Sequence, residues 1–496
     1  MFSFLDALVL FLYLFFSLAL GIWVSRGKKT LQDYMLGGAS MPWAAVGISL
    51  IATSVSATTF LGAPADVYGA DMTFLMFQIG AFLSIFVIGY VFIPQFKKSG
   101  VQSAYELFET RFSKSTRRLA AIFYSMHLLL RTGILLYAPS LVLSSILGFD
   151  IRVSITIAAG IAIFYTWFGG IKAVIWTDVL QFIVFFGGGL FIFIIIAQSV
   201  GGFSNLIGLA SAHGKTKFFD PSLDPSSART LISAGFAYAI LEIAIRGGDQ
   251  QFVQRYLSCK TAKEANYSSI LSMVLGLVVS ILFYWIGAAL YVYYSVSKVQ
   301  NLAPNTGINE VFPHFIIHSL PSGLTGLVVA AIAAAAMSSL SSAINSLSHT
   351  TENDILCKAD NEHKSLRRAK LWTLLWGLLG ILAAFFAATQ QGSLLKNALF
   401  FTGLFTGPLL AMFILAFFTK KMQSFAVIPA VICGMFSLLL FHGIPFLKIT
   451  GPLENILSWP WMPLVSLCVT LIIANLIHFI SIIISQITCK STHPTH

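Results

Sequence analysis

A single all-α transmembrane domain of thirteen helices is the fold class the sequence predicts, and three observations carry it. Hydrophobic residues fill 57% of the 496 positions and charged residues 10%, whereas a soluble domain carries roughly 25% charged residues. The apolar residues gather in runs such as Leu8 to Val24, Val179 to Val200 and Leu371 to Ala388, each suited to crossing about 30 Å of hydrocarbon. Lys and Arg collect between alternate runs. Because lipid offers no partner to an exposed backbone group, the runs are expected to be helices.

The first span, 4–25, starts almost at the N-terminus without a basic stretch or a small-residue cleavage site, so it reads as a retained helix. Further spans are expected over 42–68, 73–96, 119–147, 152–168, 174–198, 230–254, 267–295, 324–348, 371–390, 397–418, 424–442 and 460–486. An odd number puts the termini on opposite sides. The loops after spans 1, 3, 5, 7, 9 and 11, with the C-terminal tail, hold 21 of the 30 Lys and Arg residues, among them Arg26, Lys28, Lys29, Lys97 and Lys98, against 7 in the opposite loops. The N-terminus is therefore expected outside and the C-terminus in the cytoplasm. This placement accounts for the formal charge of +11 without a nucleic-acid partner.

Cys259, Cys357, Cys433, Cys468 and Cys489 show no CxxC or metal-ligand spacing, and reduced thiols are expected. The segments 201–227 and 297–323 carry Pro and Gly and read as surface connections around an outer vestibule. No soluble domain, low-complexity tract or coiled coil interrupts the chain, so 1–496 reads as one membrane domain.

Chemistry is sought in the polar residues inside the spans. The second span, GISLIATSVSATTFLGAPADVYG, crowds Thr53, Ser54, Ser56, Thr58 and Thr59. Such hydroxyls either bond back to their own helix and favour close packing, or mark an unwound helix whose freed carbonyls bind a cation and whose hydroxyls hold a solute. Their density favours the second reading. In the ninth span Ser338, Ser341 and Ser342 share one face at i, i+3 and i+4; the stripe serves helix packing or completes a hydroxyl site. Neutral oxygens with at most one carboxylate suit sodium better than magnesium or zinc.

Asp178 lies a few residues into the sixth span, as a helix-end carboxylate or as the partner of a cation. Arg131 stands about 18 Å along the axis of the fourth span, too deep to snorkel, and requires an internal carboxylate or an anionic solute. Glu242 and Arg246, at i, i+4, can neutralise each other. Phe74 and Gln78 share a face and can offer a ring and an amide. No HxxxH, HExxH, GxxxxGK[ST] or Ser/His/Asp pattern occurs, so neither ATP-driven pumping nor an enzyme is expected.

The hydroxyl-rich second span ending in GAPADVYG, the segment YTWFGGIKAVIWTDVLQ, the stretch VQRYLSCKTAKEA and the serine-rich AAAAMSSLSSAINS together resemble the sodium:solute symporter family over nearly the whole chain. The resemblance implies a LeuT-type fold of two inverted five-helix repeats. The first would cover 25–168, completed by 174–198, the second 230–418, and 424–486 would add helices. Within the family the sequence is most similar to bacterial sodium/sialic acid symporters. That similarity implies a first sodium site on the carbonyls of Ala52, Val55 and Ala335 and the hydroxyls of Ser338 and Ser339. It implies a second site on Asp178, Ser338, Ser341 and Ser342. The solute pocket would comprise Ser54, Ser56, Thr59, Phe74, Gln78 and Arg131, with Arg131 taking a carboxylate and Ser54 replacing a Thr.

The chain departs from that pattern at Glu242 and Arg246, where neutral polar residues are expected. The implied function is sodium-coupled import of a small anionic solute, sialic acid (N-acetylneuraminate) first, with two sodium ions, by a monomeric multi-pass protein of the bacterial inner (plasma) membrane. Monocarboxylate, vitamin, sugar or proline symport stays open, as does a channel or sensor on the same scaffold.

Overall fold

The computed structural model describes residues 2–26, 30–302, 306–356, 361–389, 394–420, 422–444, 449–453 and 456–491. Lys28, Lys29, Cys357 and the side chains of Thr58 and Cys489 lie outside the described residues. Apart from the short pair Gly443–Ile444 with Ile449–Thr450, the regular structure is helical. Among the described residues ten helices are long and apolar enough to cross a membrane, or eleven counting one bent pair as a span.

The bent pair is the second predicted span. Trp43–Ser54 ends where Val55 turns extended (φ −85°, ψ 119°) and Ser56 follows (φ −111°, ψ 171°), before Ala57–Gly69 resumes at 58°. A second interruption falls inside the stretch read from sequence as one span over 230–254. Tyr238–Gly248 stops at Asp249 (φ −77°, ψ 127°), and Gln250–Ser258 continues as a separate helix. Gly247 and Gly248 are poor helix formers, and the Asp249 carboxylate caps the new helix by accepting from the Gln251 N–H at 2.8 Å.

The spans expected at 152–168 and 174–198 form one continuous stretch, Ile151–Ser199, that turns at Gly170 (φ 59°, ψ −149°). Only glycine suits that backbone, and a side chain there would collide with the Tyr34 carbonyl. The serine-rich helix Leu324–Thr350 occupies the centre and is buried along nearly its whole length. It packs on Phe4–Val24, Lys114–Leu147, Ile151–Ser199 and Glu362–Thr389. Its N-terminus is capped from the first helix, where Asp6 Oδ1 accepts from the N–H groups of Gly323 (2.7 Å) and Gly326 (2.8 Å). The periphery is apolar instead: Phe11, Phe15 and Trp23 on the first helix and Ile472, Leu476 and Phe479 on the last are exposed. Polar residues inside and apolar residues outside are what a bilayer demands.

Candidate functional site

The first bend delivers backbone oxygens to the centre, since a helix that stops leaves its last carbonyls without helical partners. A cavity of ≈ 10 Å³ there is lined by Ala52, Val55, Gln181, Ala335 and Ser338, with Phe182 and Phe185 as an apolar wall. That is about the space of one water molecule. The Ser338 hydroxyl, 3.1 Å from the Ala52 carbonyl and 2.6 Å from Asp178 Oδ1, ties the bend to the serine-rich helix, and the Ser339 hydroxyl donates to the Ala335 carbonyl at 3.1 Å. The five residues expected at a first sodium site thus adjoin one another, and their donor set of neutral oxygens fits a hard monovalent ion.

Asp178 is shielded from solvent. Its carboxylate accepts from the hydroxyls of Ser49 (2.5 Å) and Ser338 (2.6 Å) and pairs with Arg255, whose Nη2 is 3.0 Å away. The same nitrogen donates to Ser342 Oγ at 2.5 Å, while Nε donates to Ser49 Oγ at 2.7 Å and Nη1 to the Gln251 carbonyl at 2.8 Å. Ser342 also lies 3.1 Å from the Thr53 hydroxyl, and Ser341 donates to the Ser338 carbonyl at 3.1 Å. Arg255 therefore occupies the space between Asp178 and Ser342.

Sequence reading counts Arg255 among loop residues. It lies instead in the buried helix after the Asp249 break, with Gln250, Gln251 and Gln254 buried beside it. The Gly247-Gly248-Asp249 interruption was the signal that a second helical segment follows.

The residues expected around a solute divide into groups. Thr59 and Phe74 line one cavity of ≈ 530 Å³ with Asp66, Arg229, Tyr284 and Asn309. Phe74 sits 4.3 Å from the Phe77 ring centroid, and the Arg229 guanidinium stands 5.7 Å over its ring. Arg229 also pairs with Asp66 at 2.5 Å across the cavity wall. Ser54, half-buried, bonds back to the Leu50 carbonyl at 3.0 Å, and Ser56 is buried at the bend. Gln78 donates to Ser280 at 2.9 Å, which directs its amide to the neighbouring helix. Arg131, half-buried in the middle of Lys114–Leu147, makes no hydrogen bond or ion pair among the described residues. Its charge acts on Asp249, which accepts from the Tyr124 hydroxyl at 2.9 Å.

Glu242 and Arg246 close on each other at 2.5 Å; Tyr238 donates to Glu242 at 2.8 Å and Arg246 to Ser272 at 3.1 Å. Among the described residues no group of three or more His, Cys, Asp or Glu side chains is placed to hold a metal ion.

A family profile described as the sodium:solute symporter family matches residues 34–434. The chain is 34% identical over 451 residues to the sodium/sialic acid symporter SiaT of Proteus mirabilis, covering 88% of this chain and 89% of that protein. It is 30% identical to the sodium/sialic acid symporter NanT of Aliivibrio fischeri, covering 88% of each, and 32% identical to the rabbit (Oryctolagus cuniculus) sodium-dependent multivitamin transporter, covering 84% and 67%. Its fold superimposes with a TM-score of 0.85 and 31% identity on a substrate-bound, outward-open sodium-coupled sialic acid symporter, over 96% of this chain and 97% of that one. A nucleobase-cation symporter, Mhp1 in a closed conformation, aligns with a TM-score of 0.58 at 13% identity over 89% and 92%, a likeness of fold alone.

Proposed function

Given that the chain belongs to the sodium:solute symporter family, we propose that its solute is a small monoanion, N-acetylneuraminate first, carried with two sodium ions. The chain is a sodium-coupled symporter and not an enzyme, a multi-pass protein of the plasma membrane whose all-α fold is related to the five-plus-five superfamily. The observation that carries the solute reading is Arg131, a mid-helix guanidinium without a hydrogen-bond partner among the described residues. A cation at mid-span, half-buried as Arg131 is, is stabilised by an anion, and guanidinium matches a carboxylate by two parallel hydrogen bonds. Ser54, Ser56, Thr59, Phe74 and Gln78 would hold the rest of the solute.

Dividing Ile151–Ser199 at Gly170 and adding Leu394–Phe418 to the eleven spans gives thirteen, with the N-terminus outside and the C-terminus in the cytoplasm. One polypeptide would suffice, as a monomer. The breaks at Val55 and Asp249 would be the paired unwindings of two inverted repeats, 25–168 with 174–198 and 230–418, followed by 424–486.

In the first sodium site the carbonyls of Ala52, Val55 and Ala335 and the hydroxyls of Ser338 and Ser339 would hold the ion. Binding there ties the bend to the serine-rich helix and so orders Ser54, Ser56 and Thr59 for the solute. The second site, Asp178 with Ser338, Ser341 and Ser342, would form as Arg255 withdraws, the arginine standing in for the ion when sodium is absent. Alternating access follows from rocking one bundle against the other.

The second ion decides how far the solute can be concentrated. Each sodium contributes about 2.3 kcal/mol from 100 mV and about 1.4 kcal/mol from a tenfold gradient. One ion moving a monoanion keeps only about 1.4 kcal/mol, or tenfold accumulation. Two ions keep about 5 kcal/mol, or three to four decades.

The buried charges of Glu242 and Arg246 favour a second reading, in which the anion is a monocarboxylate or an acidic vitamin. A thermal-shift screen of the purified protein separates the two: sialic acids, monocarboxylates, pantothenate and proline, each in sodium and in potassium. Stabilisation by N-acetylneuraminate in sodium alone is expected; stabilisation by proline but by no anion would overturn the assignment. A channel or a sensor would show no gradient-driven accumulation.

A further inference from the structure

We propose that a crevice on the lipid-facing surface, between the helical segments Phe77–Val87 and Ile88–Phe92 on one side and the helix Ala262–Tyr291 on the other, is a binding site for an anionic phospholipid with a hydroxyl-bearing headgroup, phosphatidylglycerol in kind. The crevice holds ≈ 280 Å³ and is lined by Phe86, Gly89, Tyr90, Lys263, Asn266 and Tyr267, among others. None of its lining residues belongs to either sodium-site set. The chain has a π-helical turn at Ile88–Phe92, and Asn266 Nδ2 donates to the carbonyl of Gly89 within it at 3.3 Å.

Two groups in the crevice await a ligand. The Oδ1 of Asn266 is buried with no hydrogen-bond partner, and an orphaned acceptor calls for a donor. Lys263 is exposed, and its recorded contact among the described residues is the Tyr267 ring, 5.7 Å from Nζ to centroid. Lys97 beside it is spent on the carbonyls of Leu257 and Cys259 (3.1 and 2.5 Å), while Lys98 and Lys260 are exposed on the same rim. Glu264, whose carboxylate accepts from the Lys260 N–H at 3.0 Å, is an acid among these four lysines, so the cluster keeps a net positive charge. Phosphate diesters are the anions of a bilayer interface, and Lys residues close to that interface attract them.

The surface running inward from the crevice fits the rest of a lipid. Lys263, Tyr267, Ile270 and Val274 fall on one helical stripe, and Phe86 and Phe82 on another. Tyr90 is 81% exposed, and Phe82, Ile270 and Val274 are 58%, 48% and 54% exposed. Cation, then tyrosines, then aliphatic surface repeats the order of phosphate, glycerol and acyl chain across a bilayer interface. Lys263 would bind the phosphate, a headgroup hydroxyl would donate to Asn266 Oδ1, and one chain would lie along Phe82 and Val274.

The test is native mass spectrometry of the delipidated full chain, titrated with phosphatidylglycerol and phosphatidylcholine of equal acyl composition. Wild type is expected to hold one phosphatidylglycerol at least fivefold more tightly than phosphatidylcholine. Lys263→Gln should abolish that preference, Asn266→Leu should halve it or more, and Lys298→Gln, on the opposite face, should leave it intact. Excess glycerol 3-phosphate should not displace the lipid. No preference in wild type, an unchanged preference in Lys263→Gln, or displacement by the soluble phosphate ester would each overturn the site.

Discussion

Arg255 Nη2 lies 3.0 Å from Asp178 Oδ2, and both side chains are wholly screened from solvent. Truncating one partner of such a pair leaves an uncompensated charge and typically costs 3–5 kcal/mol. A sodium ion at Asp178 would restore the balance. Arg255→Gln is therefore expected to lower the melting temperature in potassium by several degrees more than in sodium, as read by scanning fluorimetry. Equal losses in the two salts would show that no cation reaches Asp178.

Ser338 joins the bend to Asp178, at 3.1 Å from the Ala52 carbonyl and 2.6 Å from the carboxylate. Ser338→Ala removes a donor from both proposed ion sites, whereas Ser339→Ala touches only the first. The sodium concentration for half-maximal uptake should rise roughly tenfold or more in each, about 1.4 kcal/mol per lost oxygen ligand. In addition, Ser338→Ala should lower the Hill coefficient for sodium towards one. An unaltered sodium dependence in both variants would remove the ions from this helix.

In the proposed pocket Arg131 would discriminate by charge and by shape. Loss of a desolvated, hydrogen-bonded charge contact costs about 2–5 kcal/mol, so Arg131→Ala should weaken binding of a carboxylate solute on the order of 30-fold or more, measured calorimetrically in sodium. Arg131→Lys should recover only part of it, because an ammonium cannot make the paired contact. The methyl ester of the same solute should bind wild type and Arg131→Ala alike; a large difference there would mean that Arg131 serves packing.

Asp6 is buried beneath the N-terminus of the serine-rich helix and accepts from the N–H groups of Gly323 and Gly326. Asp6→Ala should destabilise the protein by about 1–2 kcal/mol, the usual worth of a helix cap. Sodium affinity should be unchanged once the protein is folded, since the ion-site residues lie several turns away. A thermal melt with a sodium titration separates these two effects.

Much of this architecture is legible from the order of residues because a bilayer allows few solutions. Apolar runs become helices, and the hydroxyls from Thr53 to Thr59 coincide with the first bend. The second bend is harder to read, since Gly247-Gly248-Asp249 carries no hydroxyl cluster and the residues after it look like a polar loop. Arg255 was hidden for that reason: its burial depends on Asp178 and Ser342, which are 77 and 87 positions away. The Asp6 cap is also a long-range contact, 317 positions from Gly323. Arg229 looks like an ordinary surface residue until Asp66 and Phe74 are seen beside it.

Proteoliposome uptake of labelled N-acetylneuraminate, with wild type and Arg131→Ala side by side, bears most directly on sodium-driven import of an anion held by Arg131. Wild type should accumulate the label above the external concentration only under an inward sodium gradient, faster with the interior negative, and Arg131→Ala should lose at least nine-tenths of that uptake. Accumulation that is equal in potassium, or that survives unchanged in Arg131→Ala, would contradict it.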